Sequence, residues 1–126
     1  EQRWRERLVA GQAAVLVADG RAGLLGFAAF GPSRDDDLDP SQVGEIYAIY
    51  LLPKAWGQGH GSALLRQALD KLQAQGLDET TLWVLRDNQR AIDFYQAHGF
   101  QADGAAKHET RGDSVILHEV RFRRRP

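Results

Sequence analysis

Cysteine is absent from the 126 residues, which excludes disulfides and any chemistry that depends on a thiolate. Long apolar runs are missing as well, and nothing approaches the roughly 20 residues that a membrane-spanning helix needs. No stretch has the pattern of a signal peptide. Charge of one sign is not in excess: 16 Lys and Arg stand against 17 Asp and Glu, a formal net charge of −1. Nucleic-acid partners usually require a basic domain or stripe. That class is set aside, and a cytoplasmic location with no membrane partner is the expectation. The four histidines, His60, His98, His108 and His118, lack the spacing of a metal site.

What remains is an ordinary globular composition, 43% hydrophobic and 26% charged. It suffices for one core and one domain across residues 1–126. The chain opens at Glu1 rather than Met, and Arg3 to Ala10 reads as the remnant of a helix. The sequence is therefore expected to begin inside a longer chain. Ala13 to Ala18 and Leu24 to Phe30 read as strands joined by a turn-rich connection through Asp19-Gly20. Gly31 to Ser41 holds two prolines and the aspartates Asp35, Asp36, Asp37 and Asp39. It reads as a solvated loop, with electrostatic attraction of a cationic amine as the alternative.

Glu45 to Leu52 is a third strand, stopped by Pro53. A helix follows from about Gly59 to Gln75, with the apolar stripe Leu64, Leu65, Ala68, Leu69 and Leu72 and with Gly76 as its stop. Thr80 to Leu85 is rich in strand formers. A second helix opens at the N-cap Asn88, carries Ala91, Ile92, Phe94 and Tyr95, and ends at His98-Gly99. Phe100 to Ala102 and Val115 to Phe122 complete the strands. Arg121 to Arg125 read as a solvated terminus, and this basic, strand-forming end offers a pairing edge for a homodimer. Two hairpin strands followed by strand, helix, strand, helix and two strands make an α/β chain, a mixed sheet with helices packed on it. The two strands that precede helices are expected to be parallel neighbours.

The stretch Glu45 to Leu65 is the most informative. Gly57, Gly59 and Gly61 sit at alternate positions where the helix begins, so backbone N–H groups point inward with no side chain in the way. Such a turn suits a phosphate group, although a plain strand-to-helix turn is the simpler alternative. A P-loop would need Gly-Lys-Ser/Thr where His60-Gly61-Ser62 stands. The dinucleotide fingerprint is a near miss, because Pro53 to Trp56 separates the strand from the first glycine and Ser62 stands where Gly or Ala is wanted.

A third template fits. Glu45 to Leu65, together with Asn88-Gln-Arg-Ala-Ile-Asp-Phe-Tyr-Gln-Ala-His-Gly-Phe100, resembles the GNAT family of N-acetyltransferases. The family's cofactor signature, Arg/Gln-x-x-Gly-x-Gly/Ala, falls on Trp56 to Gly61, with Trp56 in place of the usual Arg or Gln. Its second signature, Asn-x-x-Ala-x-x-Phe-Tyr-x-x-x-Gly-Phe, is matched at every defined position. The resemblance covers roughly Leu24 to Phe122. It implies a twisted mixed sheet with a splayed central parallel strand pair and flanking helices. It also implies that the family's N-terminal strand and first helices lie outside this sequence, apart from Arg3 to Ala10.

By the same resemblance, acetyl-CoA is the co-substrate and a primary amine of a small molecule or peptide is the acceptor, attacked directly in a ternary complex. The diphosphate would rest on the amides of Gly57, Gln58, Gly59, His60, Gly61 and Ser62. Backbone groups of Ile49, Tyr50 and Leu51 would pair with the pantetheine arm, and an N–H near Ile49 or Leu51 would polarise the thioester carbonyl. Asn88 is either a plain N-cap or a contact to that arm. Tyr95 is the expected general acid for the departing sulfur, with a buried core aromatic as the alternative. Glu45, which begins the central strand, is the candidate base working through water, or else an ordinary carboxylate at a strand end. Tyr47 and Tyr50 are expected on opposite faces of their strand, so that at most one lines the acceptor pocket. A non-catalytic acyl-CoA-binding or regulatory module on the same fold is the alternative function.

Overall fold

Alternating burial builds the first half of the sheet in the computed structural model, which describes residues 3–10 and 12–126. In β2 (Ala13–Gly20), Ala14, Leu16 and Ala18 are buried while Val15 and Val17 turn to the other face. In β3 (Gly23–Pro32), Ala28 and Phe30 join the same buried layer. That period of two marks strands with one face on the core, and the pair forms an antiparallel hairpin. β4 (Val43–Leu51) adds antiparallel to β3, and β5 (Glu79–Leu85) adds parallel to β4. β6 (Gln101–Arg111) and β7 (Val115–Arg124) form a second hairpin, with β7 against β5. The strand order is β1-β2-β3-β4-β5-β7-β6, and among the described residues only the β4–β5 step is parallel.

Both helices lie where the apolar stripes predict. α1 (His60–Ala74) buries Leu64, Leu65, Ala68, Leu69 and Leu72. α2 (Gln89–Ala97) begins at Asn88, whose side chain accepts a bond from the Ala91 N–H. At their ends the chain turns back with matching bonds, from Leu77 N–H to the Leu72 carbonyl and from Phe100 N–H to the Tyr95 carbonyl. Leu77 and Phe100 thereby enter the core. Among the described residues no helix is long and apolar enough to cross a membrane.

Three expectations about the strands need correction. Arg3–Ala10 is strand β1, antiparallel to β2, and not a helix remnant. Eight residues are too few to sustain a helix alone, whereas β2 offers a row of backbone partners along its edge. Trp4 packs on the core and Glu6 pairs with Lys71 of α1. β6 runs to Arg111 rather than stopping at Ala102; it is mostly exposed, so it carries no apolar alternation to reveal its length. β7 lies between β5 and β6, so the C-terminal strand is not a free edge for a dimer.

The acidic loop and the basic terminus are not simply solvated. Arg121 is 4% exposed and holds Asp35, Asp37 and Asp103, the contact with Asp37 being bidentate at 2.8 Å and 2.8 Å. Trp83 Nε1 also donates to Asp35, and Arg123 pairs with Asp103 and Glu79. The loop is thus strapped across β5 and β7. Asp35 and Asp37 read as solvent-facing because the arginine that holds them lies more than eighty residues away, while Asp36 and Asp39 are exposed as expected.

The wedge forms at β4. Phe30 pairs with Ile46 and Ala29 with Ala48, which leaves Tyr47 as an extra residue, a β-bulge. β4 and β5 are paired from Val43–Glu79 to Ile46–Leu82 and no further, although both strands continue, to Leu51 and Leu85. The expected splayed parallel pair is present. The extra residue also shifts the phase of the side chains. Tyr50 lies beside Phe27, with ring centroids 6.1 Å apart. The Tyr47 hydroxyl donates to the Pro32 carbonyl and sits over Gly31, which shares a face of β3 with Phe27. Tyr47 and Tyr50 therefore share the face opposite the helices, contrary to the simple alternation.

Candidate functional site

Where β4 has parted from β5, a pocket of about 500 Å³ lies along the end of β4 and reaches the start of α1 and the start of α2. Eight of the residues assigned from sequence line it: Ile49, Tyr50 and Leu51 from β4, Gly57, Gly59, Gly61 and Ser62 from the turn and α1, and Asn88 from the cap of α2. Gln58 and His60 do not line it; the Gln58 amide donates to the Lys54 carbonyl. Segments far apart in sequence meet here because β4 and β5 both lead into helices at the same end of the sheet.

The turn has a conformational reason for two of its glycines. Gly57 and Gly59 have φ of +76° and +84°, in the left-handed region, with open space where a Cβ would stand. Gly61 is helical, and its missing Cβ would lie 3.5 Å from Phe94 inside the pocket. α1 has no side-chain cap and no acidic residue in its first turn. Its leading N–H groups therefore face the pocket with the positive end of the helix dipole unopposed, which suits an anion.

Along β4, Ile49, Tyr50 and Leu51 pair with β3 on one side, and β5 has left the other side open. The Leu51 carbonyl accepts a bond of 2.9 Å from Trp56 Nε1, so that group is already engaged. Asn88 is both a cap and a pocket residue: its Oδ1 serves the Ala91 N–H, and its Nδ2 is the group left for a ligand.

The two expected catalytic side chains lie outside the pocket lining. Tyr95 is 8% exposed and packs edge-on against Phe94 and Phe100, at centroid distances of 5.5 Å and 5.9 Å. Burial pushes its phenol up to about 12, so it stays protonated at neutral pH. Glu45 is 2% exposed on the face opposite the helices, and its carboxylate accepts from Arg34 N (2.8 Å) and Arg34 Nη2 (2.9 Å). The Arg34 guanidinium stacks in turn on Tyr47.

Four lining residues were not assigned from sequence: Trp56, Arg90, Ala91 and Phe94. Ala91 and Phe94 follow Asn88 at a spacing of three along α2, so helical periodicity was the available signal. Arg90 had none, because it falls between defined motif positions.

The family model described as the acetyltransferase (GNAT) family matches residues 1–100. A protein of Bacillus subtilis (strain 168), named an uncharacterized N-acetyltransferase, is 39% identical over 121 residues, which is 95% of this chain and 65% of that protein. The chain thus spans slightly less than two thirds of the length of that relative. The crystal structure of PaiA N-acetyltransferase from Thermoplasma acidophilum, in complex with coenzyme A, has a TM-score of 0.68 at 22% identity and covers 91% of this chain and 62% of its own. That of a GNAT family acetyltransferase from Elizabethkingia anophelis, with acetyl-CoA bound, has a TM-score of 0.71 at 15% identity, with 91% and 77% covered. At those identities the two structures speak to the fold. The sheet order, the parted strands, the glycine turn and the match over most of the sequence agree: this chain belongs to the acetyltransferase (GNAT) family.

Proposed function

We propose that this chain transfers the acetyl group of acetyl-CoA to a primary amine of a small molecule or peptide, by direct attack in a ternary complex. The observation that carries the reading is one pocket that joins an open strand edge, Ile49 to Leu51, to the uncapped start of α1. An extended, amide-bearing arm with a diphosphate at its end fits that combination. The coenzyme A and acetyl-CoA bound in the Thermoplasma and Elizabethkingia proteins are ligands of this kind.

Acetyl-CoA, when bound, supplies an acetyl group activated as a thioester. The amides of residues 57–62 would hold its diphosphate, favoured by the helix dipole by about 1 kcal/mol. Ile49, Tyr50 and Leu51 would pair with the arm as an added strand does, and the Asn88 amide would contact it. An N–H near Ile49 or Leu51 would face the reacting carbonyl as an oxyanion donor. An alkylammonium with pKa ~10.4 must lose a proton before it can attack, a deficit of roughly 4–5 kcal/mol at neutral pH. Glu45 would accept that proton through water, a role that requires Arg34 to yield part of its grip. Tyr95, kept protonated by burial, would donate to the departing sulfur.

The test is release of coenzyme A from acetyl-CoA over a panel of polyamines, aminoglycosides, free lysine and peptides. Turnover with at least one amine is expected. Tight acetyl-CoA binding with no turnover on any amine would instead support a non-catalytic acyl-CoA-binding module. Failure to bind acetyl-CoA would remove both readings.

A further inference from the structure

We propose that Arg90, lying over the indole of Trp56, is the cation this chain sets against the diphosphate of the bound carrier. The inference rests on the acetyl-CoA reading and adds a residue to it. Arg90 is the one charged side chain among the residues that line the pocket. Its guanidinium carbon lies 3.7 Å from the Trp56 ring centroid. Trp56 is itself pinned through Nε1 to the Leu51 carbonyl, and the backbone of Arg90 is fixed in the first turn of a capped helix.

The guanidinium is held without being used. Among the described residues the Arg90 guanidinium makes no hydrogen bond and no ion pair, and its contact is the Trp56 ring. Its acidic neighbours are engaged elsewhere: Asp93 accepts from Gln89, and Asp87 lies beside Arg86. The donors of a guanidinium lie in its plane. With the group over the indole and no acceptor on its donors among the described residues, a phosphate can take two of them at once. The start of α1 supplies amides but no full charge. Trp56 takes the signature position that usually holds Arg or Gln, so the turn itself contributes no cation there. The arrangement moves that charge from the turn onto α2, with the indole as its platform.

The test is calorimetric titration of the wild-type chain and of Arg90→Gln with coenzyme A and with pantetheine, which lacks the phosphates. We expect Arg90→Gln to weaken coenzyme A binding about 10-fold at low salt and to leave pantetheine affinity unchanged. The affinity of the variant for coenzyme A should also fall less steeply with added salt. Coenzyme A affinity within twofold of wild type would overturn the assignment. So would an equal loss on pantetheine, which would mean that Arg90 merely shapes the pocket. If the wild-type chain binds pantetheine but gains nothing from the phosphates, this proposal falls and the acyl-carrier reading survives. If it binds neither, both fall.

Discussion

Tyr95 is reached through its neighbours. It follows Phe94, a pocket residue, and its own ring turns into the core against Phe100. A phenol pushed up to about 12 is a weak acid but a dependable donor, since its proton is present throughout the working range. Tyr95→Phe is expected to lower turnover by about 10²-fold, with coenzyme A affinity and melting temperature close to wild type. Steady-state kinetics set beside calorimetry check this. A variant that turns over normally would return Tyr95 to the core. Because the folded value is raised, the donor form persists as pH rises through about 10. No loss of acid function is therefore expected on that side of the profile. The second motif made Tyr95 legible in the sequence, yet nothing in the motif told that the ring would be packed between two phenylalanines. Arg90 is the converse, an exposed side chain whose meaning exists only once Trp56 lies beneath it.

Elements with one clean periodicity were readable. The leucine stripe gave α1 and the alternation gave β2 and β3, because burial on one face leaves its period in the sequence. β1 and β6 were not readable in this way: β1 depends on a neighbouring edge, and β6 exposes most of its residues. The bulge at Tyr47 inserts a residue with no sequence mark, so the faces of Tyr47 and Tyr50 came out wrong. The acidic loop is held in place by Arg121 and Trp83. Arg121→Ala is expected to destabilise the fold by about 3 kcal/mol, since it strands carboxylates beside β7. Hydrogen bonds from Arg121 hold Asp37 below its usual range. At Asp103 burial works the other way, but the Ala105 N–H and Arg121 outweigh it. These groups bind protons more weakly folded than unfolded, so their stabilisation is full above about pH 4 and is lost as pH falls through their folded values. Urea unfolding of wild type and variant across that range should show the acid dependence shrinking in Arg121→Ala. An unchanged slope would mean that the strap contributes nothing to acid stability.

For the whole molecule the sheet divides into an antiparallel half, β1 to β4, and a second half of β5, β7 and β6. Four residue pairs of the parallel ladder join them, with α1 packed across the junction and the Asp35–Asp37 loop tied to Trp83 and Arg121. A ligand in the pocket would rest on β4, α1 and α2 together, a surface that exists only in the folded chain, so its binding energy appears directly as resistance to unfolding. Coenzyme A at about 100 times its dissociation constant should add roughly 2.7 kcal/mol, or roughly 10 °C in melting temperature for a chain of this size. Differential scanning fluorimetry with and without coenzyme A measures this, and no shift at saturating ligand would argue against occupancy of the gap. The ladder is not the last tie between the halves. Asp35 and Asp37, from the loop before β4, reach Arg121, and Asp35 also takes a bond from Trp83, one residue beyond the last rung at Ile46–Leu82. Side-chain charge thus closes the seam where the backbone bonds give out.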